Sequence, residues 1–150
     1  MIGSLNKYQI DNFLRSEVVG RIGCSAKGRT YVVPITYIYD GEYIYAHTQE
    51  GMKTTMMRQN SSVCFEVDRI HNMANWQSVI IFGKYEELKG KAAEEVLQSI
   101  ASRMHPISTS ETSVPRHSLE RPHAPNASAE IKLVVFRIKI KQVTGKFEKQ

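Results

Sequence analysis

One stretch of the chain, YVVPITYIYDGEYIYAHTQEGMKTTMMRQNSSVCFEVD from Tyr31 to Asp68, leaves few folds open. It holds two alternating segments joined by Asp-Gly, a Gly-Met-Lys helix start, and a third alternating segment. β-Branched and aromatic residues at a period of two build strands. Asp40-Gly41 between two such runs is a hairpin signal, because glycine tolerates the positive φ of a type I′ turn. The stretch therefore predicts two strands in a hairpin, a short helix and a further strand.

The flanking chain repeats this grammar. Asn6 can cap a helix in which Ile10, Phe13 and Leu14 recur at helical spacing through about Glu17. A strand follows over Val18 to Ala26, and Lys27-Gly28-Arg29 reverses the chain. Thr30 to Tyr39 and Glu42 to Thr48 read as the two hairpin strands. Gly51 to Gln59 reads as a helix with Met52 and Met56 on one face and Asn60 as its stop. Ser62 to Ile70 is the fourth strand; Glu66 and Asp68 share one of its faces, where they form either a carboxylate pair or, as expected, contacts with solvent or lysines. Trp76 to Leu88 is a long fifth strand, apolar on both faces around Val79–Phe82. Such a strand belongs deep in a structure or between two subunits. Gly83 is a candidate bend within it.

Lys91 to Met104 is the clearest helix, with one row of Ala92, Val96, Ile100 and Met104 and a second of Ala93, Leu97 and Ala101. Residues 105–130 are rich in Pro, Ser, Thr and His and form an irregular segment of the kind that serves as a flap or mobile loop. Ile131 to Thr144 is the last strand, with Val134, Phe136, Ile138 and Ile140 inward and Arg137, Lys139 and Lys141 outward. Neither a repeat nor a domain boundary is visible, so one domain is expected over 1–150. The fold class is mainly β with α additions, a six-stranded antiparallel barrel.

Composition excludes several classes. The chain is 41% hydrophobic and 23% charged, as soluble domains are. No apolar run approaches the roughly 20 residues that span a bilayer, and the N-terminus lacks a signal core, so a cytoplasmic protein with no membrane partner is expected. Cys24 and Cys64 sit in predicted strands without metal-ligand spacing, which fits reduced thiols. The formal charge of +5 suits an anionic ligand, nucleic acid, or simply a lysine-rich surface. HExxH, CxxC, GxSxG and the P-loop pattern are all missing. The five histidines are scattered.

Two places stand out chemically. Pro34 lies inside a predicted strand and has no N–H to donate, so the ladder is open there, at an edge or a bulge. That serves either a barrel corner or a flat ligand that takes up nearby backbone groups. The turn His47-Thr48-Gln49-Glu50-Gly51-Met52-Lys53 ends a strand and begins a helix. The first helical N–H groups lack internal partners and carry partial positive charge. With the Thr48 hydroxyl and the Lys53 charge they describe a phosphate site. An ordinary strand-to-helix turn with a solvent-facing lysine has the same sequence.

The series GRIGCSAKGRTYVVPITYIYDGEYIYAHTQEGMK, NSSVCFEVD and WQSVIIFGKYEEL, with VVFRIKIKQVTGK near the end, resembles the pyridoxamine-phosphate-oxidase-like FMN-binding split barrels, and among them the nitroimidazole-resistance-type flavoproteins. The resemblance implies a homodimer with FMN at the subunit interface. It implies that Pro34, Ile35, Thr36 and Tyr37 run along the flavin ring, largely through backbone groups. His47, Thr48, Gly51, Met52 and Lys53 would bracket the ribityl phosphate, while Trp76, Ser78 and Val79 come from the other subunit. The C-terminal Trp and Arg segment of a true pyridoxamine phosphate oxidase is missing, since the only tryptophan is Trp76. The vitamin B6 reaction is therefore not implied.

The leading expectation is an FMN-dependent oxidoreductase acting on a small molecule. The alternative is a flavin- or haem-binding split barrel without turnover. A basic barrel stacking bases on Tyr31, Tyr37, Tyr39, Tyr43 and Tyr45 is the third; those tyrosines also suit barrel packing, and no nucleic-acid partner is expected.

Overall fold

A computed structural model of the chain describes residues 1–104 and 132–150. The irregular segment expected over 105–130 lies outside the described residues, as do His105, His117 and His123. Helix α1 (Lys7–Ser16) begins where the sequence places it. The Asn6 side chain accepts from the Gln9 N–H at 2.9 Å, and the Gln9 side chain accepts from the Asn6 N–H at 2.9 Å. This reciprocal pair satisfies two of the orphan donors at a helix start. Ile10, Phe13 and Leu14 form its buried stripe.

Eight strands are present among the described residues: β1 (Ile2–Ser4), β2 (Val19–Ala26), β3 (Arg29–Thr36), β4 (Ile38–Tyr39), β5 (Tyr43–Gln49), β6 (Ser62–Asn72), β7 (Asn75–Leu88) and β8 (Leu133–Glu148). They form one antiparallel sheet in the order β3-β2-β6-β7-β8-β5-β4, with β1 on the far end of β8. The two ends of this path, β3 and β4, are adjacent pieces of one stretch of chain. The sheet thus coils into a barrel that is split rather than closed by hydrogen bonds.

The expected count of six strands is corrected in two ways. The single strand expected over Thr30 to Tyr39 breaks at Tyr37. Its N–H donates to the Val18 carbonyl at 3.0 Å, continuing the β2–β3 register, and its buried hydroxyl donates to the Leu14 carbonyl at 2.7 Å; beyond it the chain leaves β2 and pairs with β5. The other addition, β1, is three residues long. So short a strand has no readable period and exists only because β8 offers it an edge.

The turns also differ from expectation. Lys27 (φ 51) and Gly28 (φ 76) carry the two left-handed residues of a type I′ turn. At Asp40-Gly41 only Gly41 (φ 102) is left-handed. There the Asp40 carboxylate accepts from the N–H groups of Glu42 and Tyr43 at 2.9 and 2.8 Å, so a side chain rather than a second positive φ closes the hairpin.

The core fills the barrel with Ile22, Ile44, Phe65, Val67, Val79, Ile81, Phe136 and Ile138, all fully buried. Alternation then sends Arg21, Cys64, Glu66, Ile80 and Phe82 to the outer face of the same sheet. Strand β7 shifts register at Phe82/Gly83. A Cβ at Gly83 would sit 2.5 Å from the Lys139 carbonyl oxygen, so this bend requires glycine.

Helix α2 (Met52–Gln59) packs Thr54, Met56 and Met57 inward. Met52 is exposed, which corrects its expected pairing with Met56 on one face. In α3 (Gly90–Met104), Ile100 and Met104 are buried, whereas Ala92 and Ala101 are exposed. No helix among the described residues is long and apolar enough to cross a membrane.

Candidate functional site

The corner between β5 and α2 is built by alternation and capping. Ala46 and Thr48 point into the barrel, and His47, opposite Val135 of β8, points the other way. Thr48 and His47 therefore do not share a face. Gly51 is extended (φ 179), a conformation open to any residue. A Cβ there would meet nothing nearer than the Gln49 carbonyl oxygen at 3.9 Å, so the space in front of this backbone is open. The fully buried Thr54 fastens the corner. Its hydroxyl accepts from the Gly51 N–H at 3.0 Å and donates to the Gly51 carbonyl at 2.8 Å. Among the described residues, the first-turn N–H groups of Met52, Lys53 and Thr54 are the ones left without a backbone partner.

Lys53 lies at the second helical position and is half-buried. Among the described residues no carboxylate stands within ion-pair distance of it. Burial pushes its pKa below the ordinary lysine value, and the nearby Cys24 on β2 opposes that shift. Burial likewise pushes the Cys24 thiol up, against the pull of Lys53. A cation that is partly desolvated and lacks a partner anion favours a ligand that brings one.

The corner also holds a negative charge that the structure neutralises. The Arg58 guanidinium donates to both oxygens of Glu50, through Nη1 and through Nη2 at 2.9 Å, and also to Glu87. Arg58 holds the Glu50 carboxyl below the usual range. These residues were not singled out by sequence, because partners eight and 29 positions apart share no motif.

The remaining predicted site residues lie on the sheet. β3 is an edge strand, so Pro34 sits where a missing N–H costs no ladder bond. Pro34 is exposed and Thr36 half-buried on the outer face, while Ile35 packs against the core. Tyr37 spends its N–H and hydroxyl within the chain, as described above.

Trp76 and Ser78 are half-buried on the outer face of β7. Trp76 Nε1 donates to the Glu148 carboxylate at 3.0 Å, and the Ser78 hydroxyl donates to Glu66 at 3.0 Å. The Val79 side chain is in the core. Three strand spacings, about 14 Å, separate β3 from β7, so one chain does not bring Pro34 and Thr36 to Trp76 and Ser78. Between them lies an ion cluster: Arg21 Nη1 donates to Glu66 at 3.2 Å and to Asp68 at 2.9 Å. Glu66 and Asp68 thus meet an arginine rather than the expected solvent or lysines.

Known proteins share this fold. The sequence model of the pyridoxamine 5'-phosphate oxidase family matches residues 6–147. A crystal structure of a FAD-binding protein from Mesorhizobium loti is 25% identical, with a TM-score of 0.74, covering 100% of this chain and 98% of that one. The fold also matches a candidate 5-nitroimidazole antibiotic resistance protein from Bacteroides thetaiotaomicron at 20% identity and a TM-score of 0.69, covering 98% of this chain and 87% of that one. An uncharacterized protein of Rhizobium meliloti (strain 1021) is 33% identical over 70 residues, 47% of this chain. The match spans about half the length of that relative, 46%. With a family match over nearly its whole length and the split-barrel architecture in place, the chain belongs to the pyridoxamine 5'-phosphate oxidase family.

Proposed function

We propose that the protein is a homodimeric FMN-dependent oxidoreductase acting on a small molecule. The observation that carries the reading is Lys53: a half-buried ammonium at the first turn of α2, with no carboxylate partner among the described residues and open space before Gly51. A phosphate ester fits that corner, taking the N–H groups of the first helical turn and the lysine charge.

When bound, the flavin supplies the redox chemistry. The protein's own part is to hold and orient it. The exposed edge of β3 at Pro34–Thr36 offers backbone to a flat ring. Arg58 keeps the Glu50 charge from repelling the phosphate. Trp76 and Ser78, too distant within one chain, close the site from a second copy. The FAD-binding neighbour from Mesorhizobium loti makes FAD the natural comparison ligand.

The absorbance spectrum of the purified protein, alone and titrated with FMN and FAD, tests this. A flavin spectrum and saturable FMN binding are expected. Colourless protein that takes up neither flavin overturns the reading, and a Soret band on haem addition without flavin uptake replaces it with haem binding.

A further inference from the structure

We propose that Glu66 and Glu148 are positioning residues of the flavin site. From the strands on either side of β7 they fix which atoms of Ser78 and Trp76 are left to face a ligand. The inference deepens the flavin reading above and rests on it.

Trp76 has a choice of neighbours. Register puts Ile70 of β6 on one side of it and Glu148 of β8 on the other. Strand side chains occupy more than one rotamer readily, and apolar burial alone would lay the indole over Ile70. Ile70 instead stays 67% exposed, and the indole Nε1 donates to the Glu148 carboxylate at 3.0 Å. A half-buried indole N–H needs an acceptor, and an ionised carboxylate offers nothing else. The ring is therefore held toward β8 with its N–H spent and its π-face left over.

Ser78 is fixed in the same way from the other side. Lys146, its register partner on β8, donates to the Ser4 hydroxyl at 2.8 Å instead. The Ser78 hydroxyl donates to Glu66 Oε1 at 3.0 Å, while Arg21 donates to Glu66 Oε2 at 3.2 Å and to Asp68 at 2.9 Å. Since a carboxylate has no proton to give, the hydroxyl proton is committed and only lone pairs remain.

At these two positions β7 thus offers a ligand a π-face and an acceptor, and no donor. Such a wall suits the ring and ribityl parts of a flavin, which bring a stacking surface with N–H and O–H donors. A phosphate dianion only accepts, so it is disfavoured here and left to the cationic Lys53 corner. The two carboxylates behind Ser78 and Trp76 thereby help set the direction in which the flavin lies.

Glu66→Gln reverses this polarity at nearly unchanged shape. Arg21 has donors only, so the new amide turns its oxygen to Arg21 and its NH2 to Ser78, and the Ser78 proton then faces the ligand. In absorbance and fluorescence titrations, FMN binding should weaken about three- to tenfold, the scale of one hydrogen bond. In a Ser78→Ala chain the same substitution should add little, because Glu66 acts through Ser78. Trp76 is the only tryptophan, so its emission reports this indole alone. Glu148→Leu should change that emission before flavin is added and should weaken FMN binding. Glu148→Gln, whose amide oxygen still accepts, should match the unaltered chain on both. The proposal is overturned if Glu66→Gln binds FMN like the unaltered chain, or weakens it equally without the Ser78 hydroxyl. It is also overturned if Glu148→Leu behaves as Glu148→Gln does. An unaltered chain that takes up no flavin overturns the flavin reading itself, a result distinct from these.

Discussion

Lys53 on α2 and Cys24 on β2 lie within electrostatic reach of one another, and burial pushes the lysine pKa down and the thiol pKa up. Each shift makes the neutral form of its group more accessible. On the proposed reading a phosphate supplies the anion that Lys53 lacks among the described residues.

Replacing Lys53 by Ala should therefore weaken FMN binding by about 1–3 kcal/mol, the scale of a hydrogen bond to a charged group. Fluorescence titration of the flavin measures it. An unchanged dissociation constant removes Lys53 from the phosphate site. The melting temperature without ligand should hold or rise, since an unpaired, partly buried charge is removed.

Arg58 and Glu50 make a second test. Arg58→Met leaves the Glu50 carboxylate unneutralised beside the corner, and flavin binding should weaken several-fold. Adding Glu50→Gln in the same chain should restore most of the loss. If the double variant binds as poorly as the single one, Arg58 acts through fold stability instead, and thermal melting of both variants will show it.

Alkaline stability depends on two phenols. Burial, and then hydrogen bonds to Asp11 and Asp40, push Tyr39 and Tyr45 from 10.0 up to about 12. Each hydroxyl donates to its aspartate, at 2.9 and 2.8 Å. The folded chain holds these protons longer than the unfolded chain. Their contribution is complete below the unfolded value and is lost as pH rises from 10.0 toward about 12. Urea unfolding across that range should show falling stability, and Tyr39→Phe with Tyr45→Phe should flatten the fall. An equally steep fall in the double variant would assign the effect to the more deeply buried Tyr37 and Tyr85.

Gly83→Ala should cost about 1–3 kcal/mol, as overpacking does. The new methyl would meet the Lys139 carbonyl oxygen at 2.5 Å and Ile138 Cγ2 at 2.6 Å, and backbone cannot step aside cheaply. Gly28→Ala makes the contrast, with open space around it but φ +76. Chemical denaturation of both variants separates steric from conformational cost.

Much of the fold was legible because its causes are local. The Asn6 cap, the Asn60 stop and the buried Ile10, Phe13 and Leu14 follow from spacing within a few residues. Pro34 declared an edge or a bulge because proline has no N–H, and the strand order decided for the edge. The break at Tyr37 was not legible. There the chain changes its pairing partner from β2 to β5, while the buried Tyr37 hydroxyl is tied to Leu14, 23 positions away.

At the candidate site the same division holds. The order strand, Gly51, Met52, Lys53, helix was visible as a candidate anion site from helix-end chemistry, alongside an ordinary strand-to-helix turn. That Lys53 is half-buried beside Cys24 emerged only when α2 packed on β2. Alternation in β7 told that both faces were apolar, while the partners of each face depend on which strands lie alongside. By itself, then, the sequence determined the elements, their caps and the corner, because dihedral preference and period act over one turn or one pleat. Only the tertiary structure decided that Ile80 and Phe82 face outward, that Arg21 ties Glu66 to Asp68, and that Lys53 has no carboxylate partner among the described residues. Those outcomes depend on register between strands distant in the chain, and no local preference encodes it.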